Sequence, residues 1–147
     1  MRQAFAAISL IALVALCACS NRPPAGKWEG GTEQGGIMVA ARVEIGQDGR
    51  VKISAPDITN AIGSEELMMR MRQRLAADLA SGWDGVAPRP FDFDGKIFRK
   101  PGGIAPQMEW DKSTGQMTLE LYMGARPAMP VLLRPVDAFH DNPWSSG

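Results

Sequence analysis

Between Ile37 and Ile45 the chain alternates: Ile37, Val39, Ala41, Val43 and Ile45 share one face, and Met38, Ala40, Arg42 and Glu44 take the other. That period of two predicts a half-buried strand. Gly46-Gln47-Asp48-Gly49 follows, a run whose residues tolerate the positive φ of a tight turn. Val51, Ile53 and Ala55 then point inward again, with Lys52 and Ser54 outward, so the segment closes a hairpin. Pro56 ends the second strand and the period changes. Ser64 is placed as an N-cap, with Glu65 and Glu66 at the positive end of a helix dipole. Leu67, Met68, Met71, Leu75 and Leu79 form one stripe at helical spacing, Glu66, Arg70 and Arg74 form an ion-pairing face, and Gly82 is a stop signal. The expected helix covers residues 64–81.

Alternation resumes over Phe91–Phe98, with a bend at Gly95, and again at Met108 and Trp110. Lys112-Ser113-Thr114-Gly115 turns the chain into Gln116–Met123, where Met117, Leu119, Leu121 and Met123 face in. A last strand near Met129–Arg134 points Met129, Val131 and Leu133 inward, and Pro130 marks an edge position. With Gly26–Gly31 opening the folded part, the order is three strands, a helix, then four strands. One apolar and one polar face per strand is the signature of an antiparallel sheet covered on one side. The expected fold class is α+β, mainly antiparallel β: a bent sheet or incomplete small β-barrel of about six to seven strands. The helix, with its single stripe, covers the open side or plugs one end.

The first twenty residues follow another pattern. Met1-Arg2-Gln3 is a short basic start, and Ala4–Leu16 is almost wholly apolar. That run is shorter than the roughly 20 residues needed to cross a bilayer, and it matches the apolar region of a secretory signal. Leu16-Cys17-Ala18-Cys19 at its exit resembles the lipobox of bacterial lipoproteins. The resemblance implies cleavage before Cys19, diacylation of its sulfur and acylation of its new amine. Ser20 is similar to the residue that follows the cysteine in outer-membrane-sorted members. The implied organisation is a cleaved leader over 1–18, a lipidated Cys19 with a short Pro-rich tether over 19–26, one β-rich domain over 27–136 and a tail over 137–147. The implied location is a lipid anchor in the outer membrane with the domain facing the periplasm.

This reading consumes both cysteines, because Cys17 leaves with the leader and Cys19 becomes a thioether. The mature domain then has no disulfide, catalytic thiol or cysteine metal ligand. Loss of Arg2 with the leader leaves 15 Lys and Arg against 16 Asp and Glu, which provides no basic footprint for nucleic acid. The mature chain of about 130 residues suits one domain. Ser20–Ala25, stiffened by Pro23 and Pro24, reaches only about 20 Å when extended, so the domain is expected close to its membrane.

The candidate chemistry is sparse. Gly26-Lys27-Trp28 is similar to the Gly-x-Trp of the first strand in lipocalins and other calycin barrels, where Trp closes the barrel floor. The likeness spans three residues, and the helix falls in mid-chain rather than after the last strand. In that scheme Arg134 would stack over Trp28. Met68, Met69 and Met71 raise a soft-metal site, but Met69 points away from the stripe and core packing accounts for the others. Asp92, Asp94 and Gly95 match part of a calcium loop, although Lys96 stands where further oxygen ligands are needed. His140, the single histidine, has no recognisable nucleophile to serve. Arg70, Arg72 and Arg74 are read as a solvated, ion-paired helix face. Gly35-Gly36 and Gly102-Gly103 read as turns. No catalytic residue, metal or cofactor is assigned, and Cys19 is the one site named. The expected role is a non-enzymatic binding or structural component of the envelope, partnered by a protein or glycan. The alternative is a carrier holding a small apolar ligand or lipid in a calycin-like barrel.

Overall fold

The computed structural model describes residues 21–55, 59–60, 62–103, 106–123 and 126–144. The expected leader, Cys19 and Ser20 lie outside the described residues. β1 (Gly26–Gln34) and β2 (Ile37–Ile45) form a hairpin through Gly35-Gly36. Both glycines have positive φ, +60° and +76°, as the favoured two-residue turn requires at its central positions. The turn sets the register, so that Glu29 lies opposite Arg42 and Glu33 opposite Met38. β3 (Arg50–Ser54) returns beside β2 after the Gly46–Gly49 turn, in which the Gly46 amide donates to Arg50 O at 2.8 Å. β4 (Thr59–Asn60) pairs with the start of β2 and leads toward α1 (Glu65–Trp83).

The chain then runs through β5 (Arg89–Pro90), β6 (Asp92–Phe93), β7 (Ile97–Arg99), β8 (Gln107–Asp111), β9 (Gln116–Met123) and β10 (Arg126–Val136). All pairings are antiparallel, in the order β5-β3-β2-β1-β10-β9-β8-β7-β6, with β10 returning to lie beside β1. The two outermost strands, β5 and β6, flank the single residue Phe91 in the chain. One run of backbone therefore forms both edges of the sheet, which is nearly closed and barrel-like.

The expected mainly antiparallel architecture is present, with one helix among the described residues, but their strand number is higher: nine along the path plus β4. Four of these strands have only two or three residues, too few to leave a periodic signal. The run over 91–98 is also divided. Gly95 adopts φ +101°, the Asp94 amide donates to Ile97 O at 3.3 Å, and Asp94 Oδ1 accepts the Lys96 and Ile97 amides at 3.0 and 2.8 Å.

The barrel interior is a packed core. Trp28, Val39, Ala41, Val43, Val51, Phe98, Met108, Met117, Leu119, Val131 and Leu133 are buried there. Trp28 and Trp110 meet edge to face at 5.8 Å, a preferred aromatic geometry. β2 departs from the expected half-burial, because Met38, Ala40 and Arg42 on its other face are buried as well. The cover is α1, which lies on the outer surface of β2 rather than in a barrel mouth, with Leu75, Met68 and Met71 around Met38.

Ser64 caps α1, its Oγ accepting the Leu67 amide at 3.4 Å. The helix passes through Gly82 to Trp83, where Trp83 packs on Phe139 at 4.7 Å and under Lys52 at 4.3 Å. Those contacts override the local stop signal. Leu75, Ala76 and Leu79 are its buried residues, while Leu67, expected on the apolar stripe, is exposed.

β10 lies between β1 and β9, so it is not an edge strand. Its ladder to β1, however, covers only Arg134–Val136, and Pro130 is paired with Glu120 of β9 alone. Locally the proline occupies an edge, where its missing N–H breaks no ladder bond.

Candidate functional site

Beyond β10 the chain folds back over the outer face of β1 and β2, and this return builds the most distinctive polar cluster among the described residues. Residues alternate between faces along a strand. Trp28 therefore points into the barrel, whereas Glu29 points out, between Arg42 across one ladder and Arg134 across the other. Glu29 has no exposed surface and Arg42 is 5 % exposed. The Glu29 carboxylate accepts the His140 amide at 3.0 Å through Oε2 and meets the imidazole Nδ1 through Oε1. Arg42 Nη2 donates to His140 O at 2.8 Å. A buried carboxylate and a buried guanidinium thus share one tail residue, each using a strong charge-assisted bond.

Aromatic contacts extend the clasp. Phe139 lies against Trp83 of α1 and beneath two cations, Arg42 at 5.0 Å and Lys27 at 5.6 Å. Farther on, the half-buried Trp144 packs in the cluster of Met38 and Leu75. Its ring covers Gly31 so closely that a Cβ there would lie 2.6 Å from the indole. As far as Trp144 the tail is accordingly part of the body.

Next to the clasp an open groove of about 980 Å³ runs between Pro24–Trp28 and Arg134–His140. Lys27, Arg134 and His140 face Glu44 and Asp137 along it, so neither sign of charge dominates. The described residues that line the groove include no Ser, Thr, Tyr or Cys. With its amide, carbonyl and ring all engaged, His140 fastens the tail to the barrel wall.

The other residues singled out in the sequence are dispersed. Arg134 and Trp28 lie on opposite faces of the sheet, because Trp28 pairs with Pro135 and Glu29 with Arg134. The expected stacking of the two does not form: the cations set over rings among the described residues are Arg22, Lys27, Arg42 and Lys52. Arg134 Nη2 is buried without a hydrogen-bond partner in the protein. Met68 and Met71 pack beside Met38, and Met69 is exposed. Asp94 caps the β6–β7 turn, and the amides of Ile97 and Lys96 hold its carboxyl below the ordinary range.

On α1, Arg70 pairs with Glu66 one turn back. Arg72 instead reaches the barrel, bonding Glu33 through Nε and, at 2.8 Å, through Nη2, with Glu65 at 3.3 Å. The Arg72 hydrogen bonds lower the Glu33 pKa against the opposing effect of burial, and raise that of Arg72. No group of three or more His, Cys, Asp and Glu side chains among the described residues is placed to hold a metal ion. None of their helices is long and apolar enough to cross a membrane.

Sequence reasoning missed Glu29 and Arg42 as a unit. Glu29 stood in a glycine-rich opening segment, and Arg42 on the polar face of an alternating strand. A signal did exist: a two-residue turn at Gly35-Gly36 puts the two opposite each other. Their burial depends on the tail, which no local pattern anticipates. Comparison of the chain with known protein families, curated proteins and solved structures finds no match.

Proposed function

We propose that this chain is a membrane-anchored periplasmic lipoprotein of the outer membrane. Its barrel domain acts as a non-enzymatic binding or structural component of the bacterial envelope, near the membrane surface. The observation that carries the reading is Leu16-Cys17-Ala18-Cys19 at the exit of an apolar leader that begins with Arg2. Two or three acyl chains on one residue anchor a protein far more firmly than a single chain, whose binding is marginal. The partner is a protein or glycan of the envelope.

The packing supports this reading above the carrier alternative. Val39, Ala41, Val43, Met108, Met117, Leu119 and Val131 each have no exposed surface, so these inward side chains touch one another instead of lining a void. Labelled palmitate is the direct test of the anchor: incorporation that is abolished by Cys19→Ala supports it, and a wild-type chain that takes up no label removes it. Crosslinking in intact cells tests the binding role, which fails if the acylated protein is recovered only as itself over a range of crosslinker lengths.

A further inference from the structure

The residues next to the proposed lipidation site are bound to the barrel. Asn21 Nδ2 donates to Gly95 O at 3.4 Å in the β6–β7 turn, and the Arg22 guanidinium lies 5.9 Å from the Phe93 ring. Arg22 also borders Gly49 of the β2–β3 turn. Pro23 is buried. The segment therefore crosses one end of the barrel before entering β1, and only Ser20 separates it from Cys19. Two virtual bonds of 3.8 Å limit the Cα separation of Cys19 and Asn21 to about 7 Å.

From this docked segment we propose that the protein is held in a defined orientation, with the barrel end formed by the β2–β3, β6–β7 and β8–β9 turns against the lipid headgroups. The inference rests on acylation of Cys19. A lipidated residue so close to the barrel leaves no free spacer to let the domain tumble. The surface pressed to the bilayer is polar and of mixed charge, carrying Asp48, Arg50, Asp94, Lys96, Asp111 and Lys112. It belongs at headgroup level, not in hydrocarbon, where each charge would be costly.

Of the four large exposed apolar side chains among the described residues, Ile62, Leu67 and Met69 lie around the N-terminal end of α1, and Leu132 lies within β10, opposite Thr118 of β9. That helix end is beside the β1–β2 hairpin, through the Arg72–Glu33 pair, at the opposite pole of the barrel. The orientation thus turns Ile62, Leu67 and Met69 away from the membrane.

The mature acylated protein has no free thiol, so single cysteines can carry a fluorophore. Lys112→Cys marks the β8–β9 turn and Gln34→Cys the distal end of β1, both at exposed positions. Each labelled lipoprotein is placed in phosphatidylethanolamine–phosphatidylglycerol vesicles that contain a headgroup spin-labelled lipid. Quenching at position 112 is expected to exceed that at position 34 several-fold. A flexible Gly-Ser insertion of about ten residues between Ser20 and Asn21 is expected to bring the ratio close to one. Equal quenching in the protein without the insertion overturns the orientation while leaving the anchor intact. A ratio that survives the insertion overturns the docked segment as its cause. Absence of palmitate incorporation overturns the anchor and the orientation together.

Discussion

Glu29 and His140, far apart in the chain, are joined at two points: the amide of His140 donates to one carboxylate oxygen at 3.0 Å and the imidazole meets the other. Glu29 is wholly buried, so its stability depends on partners that the last residues bring to it. Replacing the carboxylate leaves the His140 amide without its acceptor and the buried Arg42 without the opposite charge across the ladder, and uncompensated buried polar groups cost about 1–3 kcal/mol each. Glu29→Ala is expected to lower stability by about 3 kcal/mol, and His140→Ala by about 1 kcal/mol, because the backbone bond survives the second change. Urea unfolding monitored by circular dichroism checks both, and equal losses would refute the unequal shares.

Gly31 and Trp144 provide a steric counterpart. A methyl group at position 31 would sit 2.6 Å from the indole, so Gly31→Ala is expected to displace the Trp144 ring while leaving the barrel folded. Intrinsic fluorescence should shift to the red, and proteolysis after residue 137 should accelerate. Gly30→Ala makes a harsher contrast: its Cβ would lie 2.0 Å from the Leu132 carbonyl oxygen, inside a packed sheet, and should unfold the domain.

The Glu33–Arg72 pair links helix to barrel and gives a pH dependence of known sign. The Arg72 hydrogen bonds hold the Glu33 carboxyl below its ordinary value of 4.5. A carboxylate whose pKa is lower in the folded state contributes stability above its unfolded pKa and loses it as pH falls through the folded value. Wild type should therefore exceed Glu33→Gln in stability above pH 4.5, and the difference should shrink as pH falls below that value and the folded carboxyl takes up its proton. Melting temperatures of both proteins across that range test the claim; a constant difference would exclude it. Asp111, held low chiefly by the Ser113 hydroxyl, adds acid sensitivity of the same sign that both proteins share.

Trp28 occupies the barrel interior at 2 % exposure, edge to face with Trp110. Trp28→Ala should cost about 3–5 kcal/mol, the usual range for a buried large aromatic, and should remove near-ultraviolet dichroism from the coupled indoles. An unchanged melting temperature would show that Trp28 plugs nothing.

Much of the barrel was readable locally. The Ile37–Ile45 and Gln116–Met123 alternations match β2 and β9, and Ser64 with Glu65 and Glu66 marked the start of α1. Period and capping are properties of neighbouring residues, so a linear reading captures them. Pro130 and Gly82 show where it stops: each carries a local signal whose outcome depends on the strand or ring beside it. The two- and three-residue strands are set by partners, not by propensity.

The sequence by itself determined the alternating strands, the amphipathic helix and the resemblance of the leader exit to a lipobox, because each is written in adjacent residues. Only the tertiary structure decided that Phe91 joins the two edges of the sheet and that α1 lies on β2. It also decided that Glu29 is buried under His140 and that Asn21–Pro23 are docked on the barrel end. These relationships unite residues tens of positions apart. The free energy that selects them comes from burial and bond satisfaction in the assembled whole.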